Sequence, residues 1–289
     1  MRSIRSISPR TQICAVIGNP VAHSLSPAIH NAAFEVKKLD FVYVAYQVDD
    51  VKNALAGMRA LNNFRGMSIT IPHKIAAMKY VDEVVKIDRR IGSINTVINE
   101  QGKLIGLGTD GPGAYKAMVD AGVSIGGKRI LILGSGGAAR AIAFTIVDHA
   151  ELEQLTILDV DKILLQRLTD DLKADTDTLI TSELLSDKSL GKAMENANII
   201  IHCTPVGMHP KQDDSLVPAD FFRPNQIVFD IVYTPLETKL LADAKSSGLK
   251  VISGVEMFIN QAALQFEHFT GADAPVEMMR KVVREHLRT

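Results

Sequence analysis

Four short stretches of the sequence carry groups that could bind or convert a small molecule. The stretch AHSLSPAIHN places Ser24 and Ser26 two residues apart at the start of a predicted helix. SITIPHK and LGTDGPG supply an amine at Lys74 and a carboxylate at Asp110. An amine and a carboxylate at a domain boundary are the groups that an acid–base pair requires. The fourth stretch, GSGGAAR, is a glycine-rich turn that opens a helix.

The paired serines permit two interpretations. Ser26 is predicted at the N-cap of the helix and Pro27 at its first position, where the missing N–H does no harm. If the preceding segment is extended, hydroxyls at i and i+2 face one way and could bind both oxygens of a carboxylate near the positive helix end. An ordinary Ser-Pro helix start explains the same residues, so this stretch alone does not decide between them.

The glycine turn predicts a dinucleotide site. KRILIL before it is a buried strand, and Gly134, Gly136 and Gly137 allow a sharp turn and a close approach of the backbone to a pyrophosphate. Only the start of GxGxxG is matched, because Ala139 occupies the third glycine position. Asp159 ends the next predicted strand, where a dinucleotide-binding unit places an acid against the ribose. A merely structural strand–helix turn is the alternative.

Asp159 also predicts which dinucleotide binds. A carboxylate there can accept from both ribose hydroxyls of NAD and would repel the 2′-phosphate of NADP. No arginine follows immediately, since Asp161 comes before Lys162. We therefore expect NAD, with NADP less favoured. The alternative is that Asp159 caps the helix that follows.

The elements that must position these residues alternate between strand and helix. Buried strands are predicted at QICAVIG, FVYVAYQV and FRGMSITIP, with a helix at VKNALAGMRALN. KIAAMKYVDEVVKI is predicted to be helical, and INTVINEQGKLIGL predicts a hairpin, so the first 110 residues form one α/β unit. A second unit opens near TDGPGAYKAMVDAG, and its continuous apolar strands predict a parallel sheet covered on both faces. The C-terminal stretch from GVEMFINQAA is helical, and the fold class is α/β with two domains.

Composition limits the class of partner. The chain has 289 residues, 46% hydrophobic, and a net charge of −1, with no basic stripe for nucleic acid. No apolar run reaches the roughly 18 residues of a membrane span. Cys14 and Cys203 lack the spacing of a disulfide framework or metal site, so we expect no metal. MRSIRSISPR is predicted to be a flexible lead-in to a soluble, cytoplasmic protein.

Eight motifs, in order and spacing, resemble the shikimate dehydrogenase family, including its quinate/shikimate members, over essentially the whole chain. They are SLSP, TIPHK, INT, TDG, GSGGAAR, CTPVGM, VYTPLET and GVEMFINQAA. The resemblance implies an N-terminal α/β substrate domain, residues 1–110 and 255–289, to which the C-terminal helices return. It implies a Rossmann-type doubly wound nucleotide-binding domain over residues 111–254. The implied activity interconverts shikimate and 3-dehydroshikimate, and in some members quinate and 3-dehydroquinate, by hydride transfer with a nicotinamide cofactor in a monomer or homodimer.

The resemblance also implies roles for individual residues. Lys74 would transfer the proton, and Asp110 would orient Lys74 and the hydroxyl. The implied substrate residues are Ser24 and Ser26 at the carboxylate, Thr70, Asn95 and Gln261 at the ring hydroxyls, and Tyr233 from the nucleotide side. The implied cofactor residues are Gly134, Gly136, Gly137, Ala138, Asp159, Thr204, Val206, Met208, Val232, Gly254 and Met257.

Two positions depart from the pattern of the family. Many members have asparagine where this chain has Gly108, and NADP-using members have Asn-Arg-Thr where this chain has Asp159-Val160-Asp161. The second departure again favours NAD. A methylenetetrahydrofolate dehydrogenase-like enzyme is one alternative, although the paired serines suit a small carboxylate better. A non-catalytic dinucleotide or metabolite sensor is another, although the presence of both Lys74 and Asp110 argues against it.

Overall fold

The computed structural model describes residues 7–287, and the chain divides into two compact units. Unit 1 takes the chain up to Thr109 and again from Gln261, and unit 2 is Asp110–Asn260. The lead-in predicted from MRSIRSISPR lies outside the described residues as far as position 6. Among the helices of residues 7–287, none is long and apolar enough to cross a membrane.

The described part of unit 1 contains one six-stranded mixed sheet, in the order β2-β1-β3-β5-β6-β4. Its strands are β1 (Gln12–Gly18), β2 (Phe41–Gln47), β3 (Phe64–Ile69), β4 (Glu83–Val84), β5 (Thr96–Glu100) and β6 (Lys103–Leu107). β1 lies parallel between β2 and β3, and β5 is antiparallel to β3 and β6. The predicted hairpin is confirmed, with Gln101 and Gly102 both at positive φ in its turn.

Helices cover this sheet and bring the end of the chain onto it. They are α1 (Ser26–Val36), α2 (Val51–Ala60), α3 (Lys86–Ile91), α9 (Gly254–Thr270, which begins in unit 2) and α10 (Val276–His286). α1 packs against α10. Phe269 of α9 lies directly on β3, because a Cβ at Gly66 would come within 2.2 Å of its ring. The close approach of α9 therefore depends on a glycine in the strand.

The continuous helix predicted for KIAAMKYVDEVVKI is wrong. The segment forms a 3-10 turn at Ala76–Lys79, then the strand β4, and only then α3. The carboxylate of Asp82 accepts the backbone N–H of Leu104 at 2.7 Å, and Val84 pairs with Gly106 of β6. Pairing with a distant strand therefore overrides the helical spacing of this segment, helped by its β-branched valines.

Unit 2 contains a six-stranded, all-parallel sheet in the order β12-β11-β10-β7-β8-β9. Its strands are β7 (Arg129–Leu133), β8 (Gln154–Asp159), β9 (Ile180–Leu184), β10 (Ile199–His202), β11 (Ile227–Asp230) and β12 (Lys250–Ser253). The helices wholly within unit 2 are α4 (Asp110–Asp120), α5 (Gly137–His149), α6 (Lys162–Lys173), α7 (Asp187–Asn196) and α8 (Lys239–Ser246). The strand order reverses beside β7, so the predicted doubly wound α/β class is confirmed.

Candidate functional site

The serine-rich turn begins α1 one residue earlier than predicted. Ser26 is the first helical residue, and Leu25 before it has φ −81° and ψ −8°. Because Leu25 is already helical, the predicted N-cap role of Ser26 and the extended segment are wrong. The hydroxyl of Ser24 accepts the N–H of Ser26 at 3.3 Å, so Ser24 serves the helix start. Ser26 is only 7% exposed, so its side chain lies inside the unit.

Asn95 is buried, and its amide is fixed by two threonines. Its Oδ1 accepts from the N–H of Thr109 at 2.8 Å and from the hydroxyl of Thr96 at 2.9 Å, while its Nδ2 donates to Thr109 Oγ1 at 3.0 Å. The same Thr109 hydroxyl donates to Gln261 Oε1 at 3.5 Å. Unit 1 therefore brings the predicted residues Asn95 and Gln261 together through Thr109. Sequence reasoning missed Thr109, although it belongs to the TDG motif.

Lys74 follows β3 in a segment held by backbone hydrogen bonds. Thr70 donates its N–H to Ile17 at 3.0 Å and accepts the N–H of His73 at 2.9 Å. The carbonyl of Lys74 accepts the N–H of Ile94 at 3.0 Å. The backbone of Lys74 therefore lies beside the segment that carries Asn95, as a shared substrate site in unit 1 requires.

Asp110 is the first residue of α4, so its predicted placement in a glycine-rich turn is wrong. Pro112 is compatible with the first helical turn, where its missing N–H is not needed. Gly111 lets α4 pack directly on α5, because a Cβ there would lie 2.1 Å from Thr145 Oγ1. A carboxylate at this helix end is stabilised by the helix dipole.

Gly108, one of the two departures from the family pattern, lies beside a buried carboxylate. Asp88 is 3% exposed, and a Cβ at position 108 would come within 2.4 Å of its Oδ1. The side chain of Asp88 therefore occupies the space that an asparagine at position 108 would need.

The glycine loop of unit 2 fits a pyrophosphate. Gly134 has φ +109°, and a Cβ there would lie 2.9 Å from the carbonyl oxygen of Cys203, so this position requires glycine. A Cβ at Gly136 or Gly137 would meet nothing within 4 Å. α5 starts at Gly137, followed by Ala138, and its N-cap residue, Gly136, has no side chain that could cap the helix. N–H groups at the open end of a helix are the donors that a phosphate needs.

The carboxylate of Asp159 is held by its own loop. Its Oδ2 accepts from the N–H and the hydroxyl of Ser135 at 2.5 and 2.6 Å, and its Oδ1 accepts the N–H of Asp161 at 2.9 Å. Burial acts to raise the pKa of Asp159, but the hydrogen bonds from Asp161 and Ser135 outweigh it and hold the pKa below its usual value. Asp161 is the N-cap of α6, so the alternative capping role for Asp159 is wrong.

A buried polar cluster at the ends of β10 and β11 was not predicted from the sequence. His202 Nδ1 lies 2.9 Å from Asp230 Oδ1, and His202 Nε2 lies 2.6 Å from Thr204 Oγ1. Asp230 also accepts the N–H of Val232 at 3.0 Å and the hydroxyl of Thr238 at 2.6 Å. One carboxylate thus connects the segments of Thr204 and Val232, two predicted cofactor residues. The available signal was a histidine and an aspartate, each ending an apolar strand.

The remaining predicted residues of unit 2 lie on neighbouring segments. The N–H of Val206 donates to Thr204 Oγ1 at 3.3 Å, and Met208 is half exposed. Tyr233 stacks on Phe258 of α9, with ring centroids 4.8 Å apart. The last two predicted cofactor residues are Gly254 and Met257. A Cβ at Gly254 would lie 2.3 Å from the carbonyl oxygen of Ile231, and Met257 is buried. Across residues 7–287, no group of three or more His, Cys, Asp or Glu side chains could hold a metal ion.

Known proteins match the chain over nearly its full length. The family model of the shikimate dehydrogenase substrate binding domain matches residues 16–97, and that of the shikimate 5'-dehydrogenase C-terminal domain matches residues 254–284. A shikimate dehydrogenase (NADP(+)) from Moorella thermoacetica is 41% identical, covering 96% of this chain and 95% of the relative.

Solved structures show the same likeness. Shikimate 5-dehydrogenase from Listeria monocytogenes, in complex with shikimate and NAD, has a TM-score of 0.92 at 33% identity and covers 98% of this chain and 100% of that one. A shikimate dehydrogenase in complex with NADP+ has a TM-score of 0.89 at 36% identity and covers 98% of each chain.

These relatives correct the prediction that NAD is the cofactor. The Moorella thermoacetica relative and those from Bacillus cereus and Methanosarcina barkeri, 39% and 40% identical, all carry NADP(+) in their names. The physical premise also fails, because it treats Asp159 as a carboxylate available to the ribose. Its oxygens instead accept hydrogen bonds from Ser135 and Asp161, so the acid organises the glycine loop.

Proposed function

The chain belongs to the shikimate dehydrogenase family, and we propose that it interconverts shikimate and 3-dehydroshikimate with NADP(H). The observation that carries the proposal is the buried group of Asn95, Thr109 and Gln261 in unit 1. Amides and a hydroxyl held in fixed orientations suit a ring with several hydroxyl groups, because each can pair with one of them. We assign substrate binding to unit 1 and nucleotide binding to unit 2.

We assign the proton transfer to Lys74. Oxidation of a ring hydroxyl requires its proton to leave the oxygen while a hydride leaves the attached carbon. The nicotinamide group, when bound, supplies or accepts that hydride. Lys74 Nζ takes the proton in this direction and returns it in the reverse direction, and Asp110 orients the hydroxyl and the amine.

We place the substrate carboxylate at the start of α1. The positive end of this 11-residue helix favours an anion, and Ser24 contributes a half-buried hydroxyl there. The side chain of Ser26 is buried, only 7% exposed. Ser24 is therefore expected to contribute more to carboxylate binding than Ser26.

The nucleotide is assigned to the glycine loop and to the strand ends beside it. Gly134, Gly136 and Gly137 would hold the pyrophosphate through backbone N–H groups. Thr204 and Val232, connected through the buried Asp230, would line the nicotinamide side. The residues of this loop fit the group because Gly136 and Gly137 leave open space where side chains would otherwise stand.

The proposal is tested by following the reduced cofactor with each pairing of shikimate or quinate with NADP+ or NAD+. We expect turnover with shikimate and NADP+, and the quinate reactions measure how far the substrate range extends. No turnover in any pairing would favour the sensor alternative. Turnover with a methylenetetrahydrofolate substrate instead would favour the other enzyme class.

A further inference from the structure

A chain of buried hydrogen bonds runs through unit 1 and has no role in the assignments above. The phenol of Tyr43 donates to Ser68 Oγ at 2.6 Å, and the hydroxyl of Ser68 donates to Gln265 Oε1 at 2.8 Å. Gln265 Nε2 donates to Thr96 Oγ1 at 2.9 Å and to the carbonyl oxygen of Asn95 at 3.3 Å. All five residues are at most 5% exposed. These hydrogen bonds therefore connect β2, β3 and β5 through Gln265 of α9.

The backbone carbonyl of Asn95 determines which group donates and which accepts in each of these hydrogen bonds. A carbonyl can only accept, so the NH2 group of Gln265 faces it and Oε1 faces Ser68. Ser68 must then donate to Gln265, and Tyr43 must donate to Ser68.

The same direction extends to the candidate substrate residue Asn95. At the other end, Thr96 accepts from Gln265 and donates to Asn95 Oδ1 at 2.9 Å, which turns Asn95 Nδ2 towards Thr109. Gln265, acting through Thr96, thus supports the same orientation of the Asn95 amide that the backbone N–H of Thr109 requires.

Aromatic packing keeps water away from these buried hydrogen bonds. The ring of His30, fully buried, stacks on Tyr43 with centroids 4.4 Å apart and an interplanar angle of 4°. Burial lowers the pKa of His30 to about 3, while the nearby Gln265 amide acts in the opposite direction, so the ring is neutral. Phe266 and Phe269 lie near the same ring. Hydrogen bonds in such surroundings are strong, and a lost partner is not replaced by solvent.

We propose that Gln265 is a positioning residue for the substrate site, holding Asn95 in its binding orientation through its backbone carbonyl and through Thr96. The proposal rests on the proposed function, because it takes shikimate as the ligand of unit 1. Gln261 and Gln265 are one helical turn apart on α9, so one helix face contacts both Thr109 and Asn95. Gln265 need not contact the substrate to act in this way.

The test is Gln265→Met, with shikimate binding to the cofactor-free protein measured by calorimetry beside steady-state kinetics. We expect the Kd and KM for shikimate to rise about tenfold, which corresponds to a loss of about 1.4 kcal/mol, while the KM for NADP+ stays within about twofold. If Gln265 had a merely structural role, its loss would not raise the Kd and KM for shikimate while leaving the KM for NADP+ unchanged.

Gln226 in unit 2 provides a matched control. It is 3% exposed, donates to the carbonyls of Met194 and Ala197 at 2.6 and 3.0 Å, and accepts the N–H of Arg223 at 2.8 Å. Gln226→Met removes as many side-chain hydrogen bonds, but in unit 2 and not in the unit to which shikimate binding is assigned. We expect it to lower Tm comparably and to leave the Kd for shikimate within about twofold of wild type.

Gln265→Leu provides a second variant, for use if the methionine variant does not fold. Leucine offers neither the acceptor nor the N–H donors of the amide, so shikimate binding should again weaken. Binding within about twofold of wild type in the folded Gln265 variants would overturn the proposal, as would an equal loss in Gln226→Met. Wild-type protein that binds no shikimate would instead overturn the proposed function, and the proposal with it.

Discussion

Replacing His202 with leucine is expected to destabilise unit 2 strongly. His202 and Asp230 are 1% and 0% exposed, and His202 bridges Asp230 and Thr204 with contacts of 2.9 and 2.6 Å. A hydrogen bond to a charged group is worth about 1.5–3 kcal/mol and one between neutral groups about 0.5–1.5 kcal/mol. Leucine fills a similar volume but offers neither bond, so we expect a loss of about 2–4 kcal/mol.

The loss is measured by calorimetric unfolding. It should appear as a decrease in Tm of the order of 5–15 °C. His202→Asn should lose less, because its side-chain amide can still donate to Asp230. His149→Leu is the control, since this residue of α5 is half exposed and should change stability by about 0.5 kcal/mol or less. A His202→Leu variant as stable as this control would refute the role given to the buried cluster.

Three further substitutions, one of them with a glycine control, test separate parts of the structure. Ser24→Ala should raise the KM for shikimate by about 10- to 100-fold and change kcat much less, as steady-state kinetics would show; an unchanged KM would leave Ser24 with helix capping alone. Gly134→Ala should lower the free energy of unfolding by about 1–3 kcal/mol and weaken NADP+ binding, because Gly134 has φ +109° and lies close to Cys203. As its control, Gly57→Ala in the open middle of α2 should raise the free energy of unfolding by about 0.5–1 kcal/mol. His30→Phe should leave Tm equal or higher, because no described residue hydrogen-bonds the ring nitrogens; a loss of about 2 kcal/mol or more would contradict this.

Five strands of the unit 2 sheet were predictable because they contain apolar runs bounded by turn residues. The edge strand β9 was missed, because only Ile180 of its sequence ITSEL is buried. ILIL of β7 and IIIH of β10 are buried throughout, a pattern that a doubly covered parallel sheet imposes on sequence. The segment before α3 was not predictable in the same way. Its conformation depends on pairing with β6, a later segment of the sequence, and the spacing of apolar residues within the segment itself gives no information about that pairing.

Much of the candidate site was indicated by motifs, but not the contacts that fix it. Ser68 and Gln265 are far apart in the sequence and resemble ordinary polar residues in apolar segments, yet they share a buried hydrogen bond. The error at Asp159 has a similar cause. A carboxylate at the end of a strand can serve a ligand or its own loop, and only the position of Ser135 distinguishes the two.

The central claim is that this chain oxidises shikimate with Lys74 as the proton-transfer group. The most direct measurement compares shikimate-dependent reduction of NADP+ by wild type and by Lys74→Ala, both saturated with substrates. We expect wild-type turnover, a decrease in kcat of about 10²–10⁴-fold in the variant, and only a modest change in KM. A wild-type protein without activity, or a variant with near-normal kcat, would contradict the account.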